Sequence, residues 1–113
     1  MSSFAPSTAQ AWALLLVAGL LEIGWAVGMN STDGFTRWGP SIAVLATALL
    51  SFYLLALAMK TLPVGTAYAV WVGIGAAGAA VLGIALLGEA PSLPRIASIA
   101  LIVAGVVGLR LAS

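Results

Sequence analysis

Charge spacing is the strongest constraint in this chain. Residues 1–21, 38–59 and 61–88 carry no charged side chain, and residues 96–109 form a fourth uncharged run between Arg95 and Arg110. A helix needs about 20 mostly apolar residues to cross the roughly 30 Å hydrocarbon core of a bilayer. The runs therefore predict helices at 11–29, 40–59, 66–87 and 94–112, the last with an arginine near each end that can snorkel to the interface. Residues 1–10 read as a short polar N-terminal tail. It lacks the basic n-region of a secretory signal, so the first apolar run reads as a retained helix. The connections are rich in Gly, Pro, Asn, Asp and Ser. Pro40 suits the first turn of the second helix, and Pro63, Pro91 and Pro94 punctuate the later ones. Connections this short make neighbouring helices antiparallel. The expected fold is an all-α integral membrane protein with four transmembrane helices per chain, in one domain over 11–113.

Composition closes off other classes. Apolar residues make up 63% of the chain and charged residues 6%, against roughly 25% charged in a soluble domain. There is no Cys and no His, so no disulfide framework, zinc site or Cys/His or Ser/His catalytic unit can form. Four scattered basic residues make no nucleic-acid surface. No cofactor is expected, and the chain does not read as an enzyme.

Orientation follows the Lys/Arg bias between loops. Lys60 and Arg110 fall on the side of the termini, Arg37 and Arg95 on the other, a balance of two against two. An unbiased chain has no strong reason to insert one way, so dual insertion, after which two opposite copies could pair as an antiparallel dimer, stands beside a single orientation fixed by membrane thickness or the insertion machinery. Four helices of small residues also enclose too little volume for a pathway inside one copy.

Glu22 carries the candidate chemistry. A charged residue at the centre of a membrane helix costs roughly 2.5–3.5 kcal/mol, whereas Asp33 and Glu89 lie in connections. Ala18, Gly19, Trp25 and Ala26 share its face by helical spacing. The face thus joins a carboxylate, small residues and an indole, whose N–H could hold the carboxylate and whose ring could stack on a flat cation. No basic residue lies at that depth. In a dimer its nearest charged neighbour would be the second Glu22, and the pair would titrate as coupled sites. Such a pair holds protons or a cation, not readily both. On the third helix Tyr68 and Trp71 share a face beside Gly75 and Gly78, suiting a cavity for an amphipathic cation. Ser98, Gly105 and Gly108 form a small-residue stripe on the fourth helix, suited to dimer contact.

The blocks AGLLEIGWAVGM at 18–29, GFTRWGPS at 34–41 and SFYLLALAMKTLPVGTAYAVWVGIGA at 51–76 carry a resemblance. With the glycine-bearing fourth helix, the chain resembles the small multidrug resistance family, and its guanidinium-exporter branch, over nearly its whole length. The resemblance implies a dual-topology antiparallel homodimer working as a proton-coupled antiporter by alternating access. Glu22 of both copies would bind proton and substrate at one central site. Gly19 and Trp25 would line it, Ser51 would tune the carboxylate by hydrogen bonding, and Tyr68 and Trp71 would shape and gate the pocket. Trp25 favours the guanidinium branch, because the drug-exporting branch typically has a smaller residue there. The chain departs from the family's pattern at Asn30, where a Lys is common, and has Arg110 where the branch often has Lys.

The expected partners are guanidinium or another small organic cation, protons, a homodimer partner and the lipid bilayer. The expected location is the bacterial inner (plasma) membrane. Two other readings stay open: export of quaternary ammonium or other hydrophobic drug cations, and a non-transporting membrane subunit in which Glu22 only glues helices together.

Overall fold

The computed structural model describes residues 5–113. Among them are four long helices: α1 (Thr8–Gly28), α2 (Trp38–Ala58), α3 (Val64–Leu86) and α4 (Leu93–Ala112), with a single 3-10 turn at Met29–Ser31. All four are long and apolar enough to cross a membrane. At 1.5 Å rise per residue, the 21 residues of α1 span about the thickness of the hydrocarbon core. α4 is one unbroken helix of 20 residues.

The helix starts have local chemical causes. α1 begins at Thr8, inside the stretch expected to be a polar tail over 1–10. Ser7 and Gln10 form a reciprocal capping box there: the Gln10 N–H donates to Ser7 Oγ at 3.1 Å and the Ser7 N–H to Gln10 Oε1 at 2.9 Å. That pair satisfies two N–H groups a helix start would otherwise leave open. Residues 1–4 of the expected tail lie outside the described residues. Ser92 caps α4 in the same manner, accepting from the Arg95 N–H at 3.4 Å, and Pro94 sits in the first turn, where its missing N–H costs nothing.

The α1–α2 connection turns on Thr32. Its buried hydroxyl donates to the Met29 carbonyl at 2.8 Å and accepts from the Phe35 N–H at 3.2 Å. Asp33, Gly34 and Phe35 all have φ between 50° and 68°, a left-handed run that is costly for a residue such as Phe. The Thr32 hydrogen bonds hold it. At the other end of the molecule the Thr61 hydroxyl donates to the Pro6 carbonyl, tying the chain entering α1 to the α2–α3 connection.

α1 is central: it packs against both α2 and α3, while α4 packs against α3. The result is a slab of 43 × 36 × 16 Å. Its core is built of Ala11, Leu15, Ala18, Leu55, Ala58, Leu62, Ala67, Val70 and Trp71. Alanines at the contacts let backbones approach closely, which is how helices associate where lipid is as apolar as Leu. No residue of α4 is buried. Large apolar side chains such as Leu101 and Leu111 stand more than 70% exposed on its surface. Such exposure suits hydrocarbon or a protein partner as the surrounding phase, not water.

Candidate functional site

Glu22 lies two-thirds of the way along α1 and points across to α3. Its side chain rests on Gly75: a Cβ built there would collide with the carboxylate. The seat therefore needs glycine for space. One turn earlier on α1, Gly19 is pressed against the Ile74 side chain, again closer than a Cβ would allow. These two contacts fix how α1 and α3 meet. Gly19 thus serves the α1–α3 seam next to the acid.

One carboxylate oxygen, Glu22 Oε1, is buried and meets no hydrogen-bond donor. The Trp25 indole N–H is likewise buried and unpartnered. The structure does not join these two groups, although the sequence pattern allowed it. Buried polar atoms without a partner are few in folded proteins. Glu22 Oε1 and the Trp25 N–H stand three residues apart on one helix; Ser41 Oγ is a third such atom among the described residues.

Ser51 sits at the centre of the three-helix seam, fully buried. Its hydroxyl donates to the Ala18 carbonyl at 2.7 Å and accepts from the Trp71 indole N–H at 3.0 Å. One hydroxyl therefore joins α1, α2 and α3. Its proton is committed to the Ala18 carbonyl in this arrangement, so the hydrogen bond to the Glu22 carboxylate expected of Ser51 is not made. Ser51 instead orients Trp71.

Trp71, almost wholly buried, anchors an aromatic row. Its ring lies 5.7 Å from that of Tyr68, 5.7 Å from Phe52 and 6.5 Å from Trp25, and Trp25 and Phe52 are 6.0 Å apart. These separations suit edge-to-face and tilted aromatic packing. The structure thus gathers Trp25, Ser51, Tyr68 and Trp71 from three helices, as the sequence pattern suggested. Tyr68 and Phe52 are about half exposed, so the row opens at the surface of the slab. Phe52 was not singled out from the sequence. It follows Ser51 directly and lies one step round α2, but nothing in an apolar helix distinguishes it from the leucines beside it. The sequence pattern places Gly75 beside Tyr68 and Trp71 at a cavity; that it seats Glu22 comes from the structure.

Of the α4 residues Ser98, Gly105 and Gly108, Gly105 lines a groove together with Tyr68 of this row. The Ser98 hydroxyl donates to the Pro94 carbonyl of its own helix at 2.7 Å. Gly105 and Gly108 have open space where a Cβ would stand, so the small-residue stripe is uncovered in the single chain. Between α3 and α4 runs a groove of about 650 Å³, lined among others by Tyr68, Gly73, Ala76 and Gly105.

A carboxylate within an apolar span and a row of aromatic faces are the chemical types that attract a cation. Carboxylate oxygens accept the forked N–H donors of a planar cation, and aromatic faces attract its charge.

Comparison with known proteins bears on that reading. Residues 10–102 match the family model described as Small Multidrug Resistance protein. A guanidinium exporter of Yersinia pseudotuberculosis serotype I is 59% identical over 103 residues, covering 91% of this chain and 99% of that protein. Guanidinium exporters of Citrobacter freundii and Salmonella typhimurium are each 58% identical over 102 residues, covering 90% of this chain and 97% of theirs. These relatives are named as exporters, not enzymes, which agrees with the class expected from the sequence. Four spanning helices and bacterial exporter relatives make the chain an integral inner-membrane protein. By the match along most of its length, the chain belongs to the small multidrug resistance family.

Proposed function

We propose that the protein exports guanidinium and small guanidinyl cations in exchange for protons, by alternating access, with Glu22 of two antiparallel copies as the shared binding group. The observation that carries this reading is the buried, unpartnered Glu22 oxygen, three residues along α1 from Trp25 of the aromatic row, in a chain 59% identical to a guanidinium exporter. Guanidinium is planar and donates N–H pairs in the geometry a carboxylate accepts. A carboxylate that has taken up a proton has lost the charge that attracts the cation. Loading by one therefore displaces the other, and exchange follows without a separate coupling device. The 16 Å thickness of the slab supports a second copy as the other wall of the pathway. The uncovered Ser98–Gly105–Gly108 face supports α4 as its contact. Trp25, Tyr68 and Trp71 would line the pocket, while Gly19 and Ser51 would hold its helices in register.

The test is purified protein in liposomes under an imposed guanidinium gradient, with lumenal pH recorded. Wild type should move protons against guanidinium, and guanidinium binding should weaken as pH is lowered. Glu22→Gln should abolish both proton movement and exchange while leaving the protein folded. Normal exchange by that variant would refute the proposal. Faster movement of tetraalkylammonium than of guanidinium would transfer the assignment to the drug-exporting type.

A further inference from the structure

A second groove lies on the other flank of α4, away from the site described above. It has a volume of about 340 Å³ and is walled by Leu15, Leu16, Ile74, Val106 and Val107, with Trp12 and Arg110 at its end. This groove and the one lined by Tyr68 share Val106. The α4 residues confined to the first are Leu101, Ile102, Gly105 and Leu109, and those confined to the second are Val107, Arg110 and Leu111. At 100° per residue these sets fall on opposite flanks of the helix. Ser98, Gly105 and Gly108 all point away from the Arg110 flank. A partner packed on that stripe leaves the second groove facing lipid.

We infer that this groove binds one molecule of an anionic phospholipid, with an acyl chain along the apolar walls and the phosphate at Arg110. The groove runs from Ile74, near the middle of α3, to Trp12 and Arg110 at the end of the slab that carries the chain termini. Within the bilayer only a hydrocarbon can fill its apolar length. At its end the chemistry changes. The Arg110 guanidinium lies 4.9 Å from the centre of the Trp12 ring and meets no carboxylate among the described residues. The ring contact engages the cation's charge and uses none of its N–H donors, which remain available to a phosphate in fork geometry. Trp and Arg together at one level are the side chains that sit at a lipid headgroup boundary.

Charge is distributed to match. The end of the slab with Arg110 also carries Lys60 and none of the three acidic side chains, whereas Asp33 and Glu89 lie at the opposite end. There Arg95 is paired with Glu89 at 3.3 Å. Arg37, at that end too, lines neither of the two grooves compared above, so of these guanidiniums Arg110 is the one that both stands over a groove and meets no carboxylate among the described residues. Basic sites between membrane helices of this kind hold anionic headgroups.

The test is native mass spectrometry of the full chain in detergent doped with equal amounts of phosphatidylglycerol and phosphatidylcholine. Wild type should retain phosphatidylglycerol preferentially. Arg110→Gln should lower that retention about fivefold, the effect of removing one basic contact to an anionic lipid. Arg110→Lys should keep most of it, and Arg37→Gln, at the other end, should change nothing. Val107→Trp, which fills the groove without touching the charge, should also reduce retention. Glycerol phosphate in excess should fail to compete, since it lacks the acyl chain. Equal retention of both lipids by wild type, full retention by Arg110→Gln, or effective competition by glycerol phosphate would each overturn the assignment. So would a change in oligomeric state with Val107→Trp at unchanged lipid retention, which would make the groove a contact between copies.

Discussion

The α1–α3 seam and α4 are made of similar residues yet live in different surroundings. Along the seam, Gly19 meets Ile74, Gly75 meets Glu22 and Gly78 meets Ile23, each closer than a Cβ would permit. On α4, Gly105 and Gly108 meet nothing, and no residue is buried. The same residue type is filled space in one place and open surface in the other. The seam is completed by the chain itself and holds an acid in one position. The outer helix is left for lipid or another copy to cover. A small transporter can thus keep a closely fitted seam apart from a helix whose surface lies open.

Three substitutions probe that contrast. Gly75→Ala has the largest expected effect. Its methyl group would occupy the seat of the Glu22 carboxylate, and overpacking of a tight contact costs about 1–3 kcal/mol. If the carboxylate position governs exchange, the rate in liposomes should fall roughly ten- to hundredfold. A wild-type rate would show that the carboxylate does not need this seat.

Ser51→Ala comes next. It leaves the buried Trp71 N–H and the Ala18 carbonyl without their shared partner, a loss of about 1–3 kcal/mol for a buried group left unsatisfied. Unfolding in detergent should shift by that amount, and the orientation of Trp71 should loosen, visible as a red shift of its fluorescence in a variant retaining only that tryptophan. No shift in stability would mean that the hydroxyl does not join the three helices.

Gly108→Leu should affect the folded single chain least. With open space around the site, unfolding of the single chain should change by no more than about 0.5 kcal/mol. Energy transfer between labelled copies diluted in lipid should nevertheless decline, if α4 is the contact between them. Destabilisation of the single chain with unchanged association would reverse the contrast drawn between seam and outer helix.

Much of the architecture was legible because hydrocarbon is an intolerant solvent. Charged residues are confined to its edges, so their spacing reports where the helices run, and Glu22 stands out as the exception. The Ser7–Gln10 capping box was also written in the chain, yet polar residues before an apolar run read equally as a tail; only the paired hydrogen bonds make them a helix start. The Ser51 bond was not legible. Residue spacing shows which face of α2 Ser51 occupies, but not how α2 is rotated against α1 and α3, and a fraction of a turn decides between Glu22 and Trp71. Phe52 was missed for the same reason. In an all-apolar helix, several faces are chemically equivalent until packing selects one.

The amino-acid sequence by itself determined the number and length of the spans, the depth of the acid and the absence of a cation at its level, because each follows from the cost of moving charge into oil. The tertiary structure alone decided which glycine receives the carboxylate, which hydrogen bond the buried serine makes, and which side chains of α4 meet α3. Those outcomes depend on helix rotation and approach, set by close contacts among small residues that composition does not distinguish.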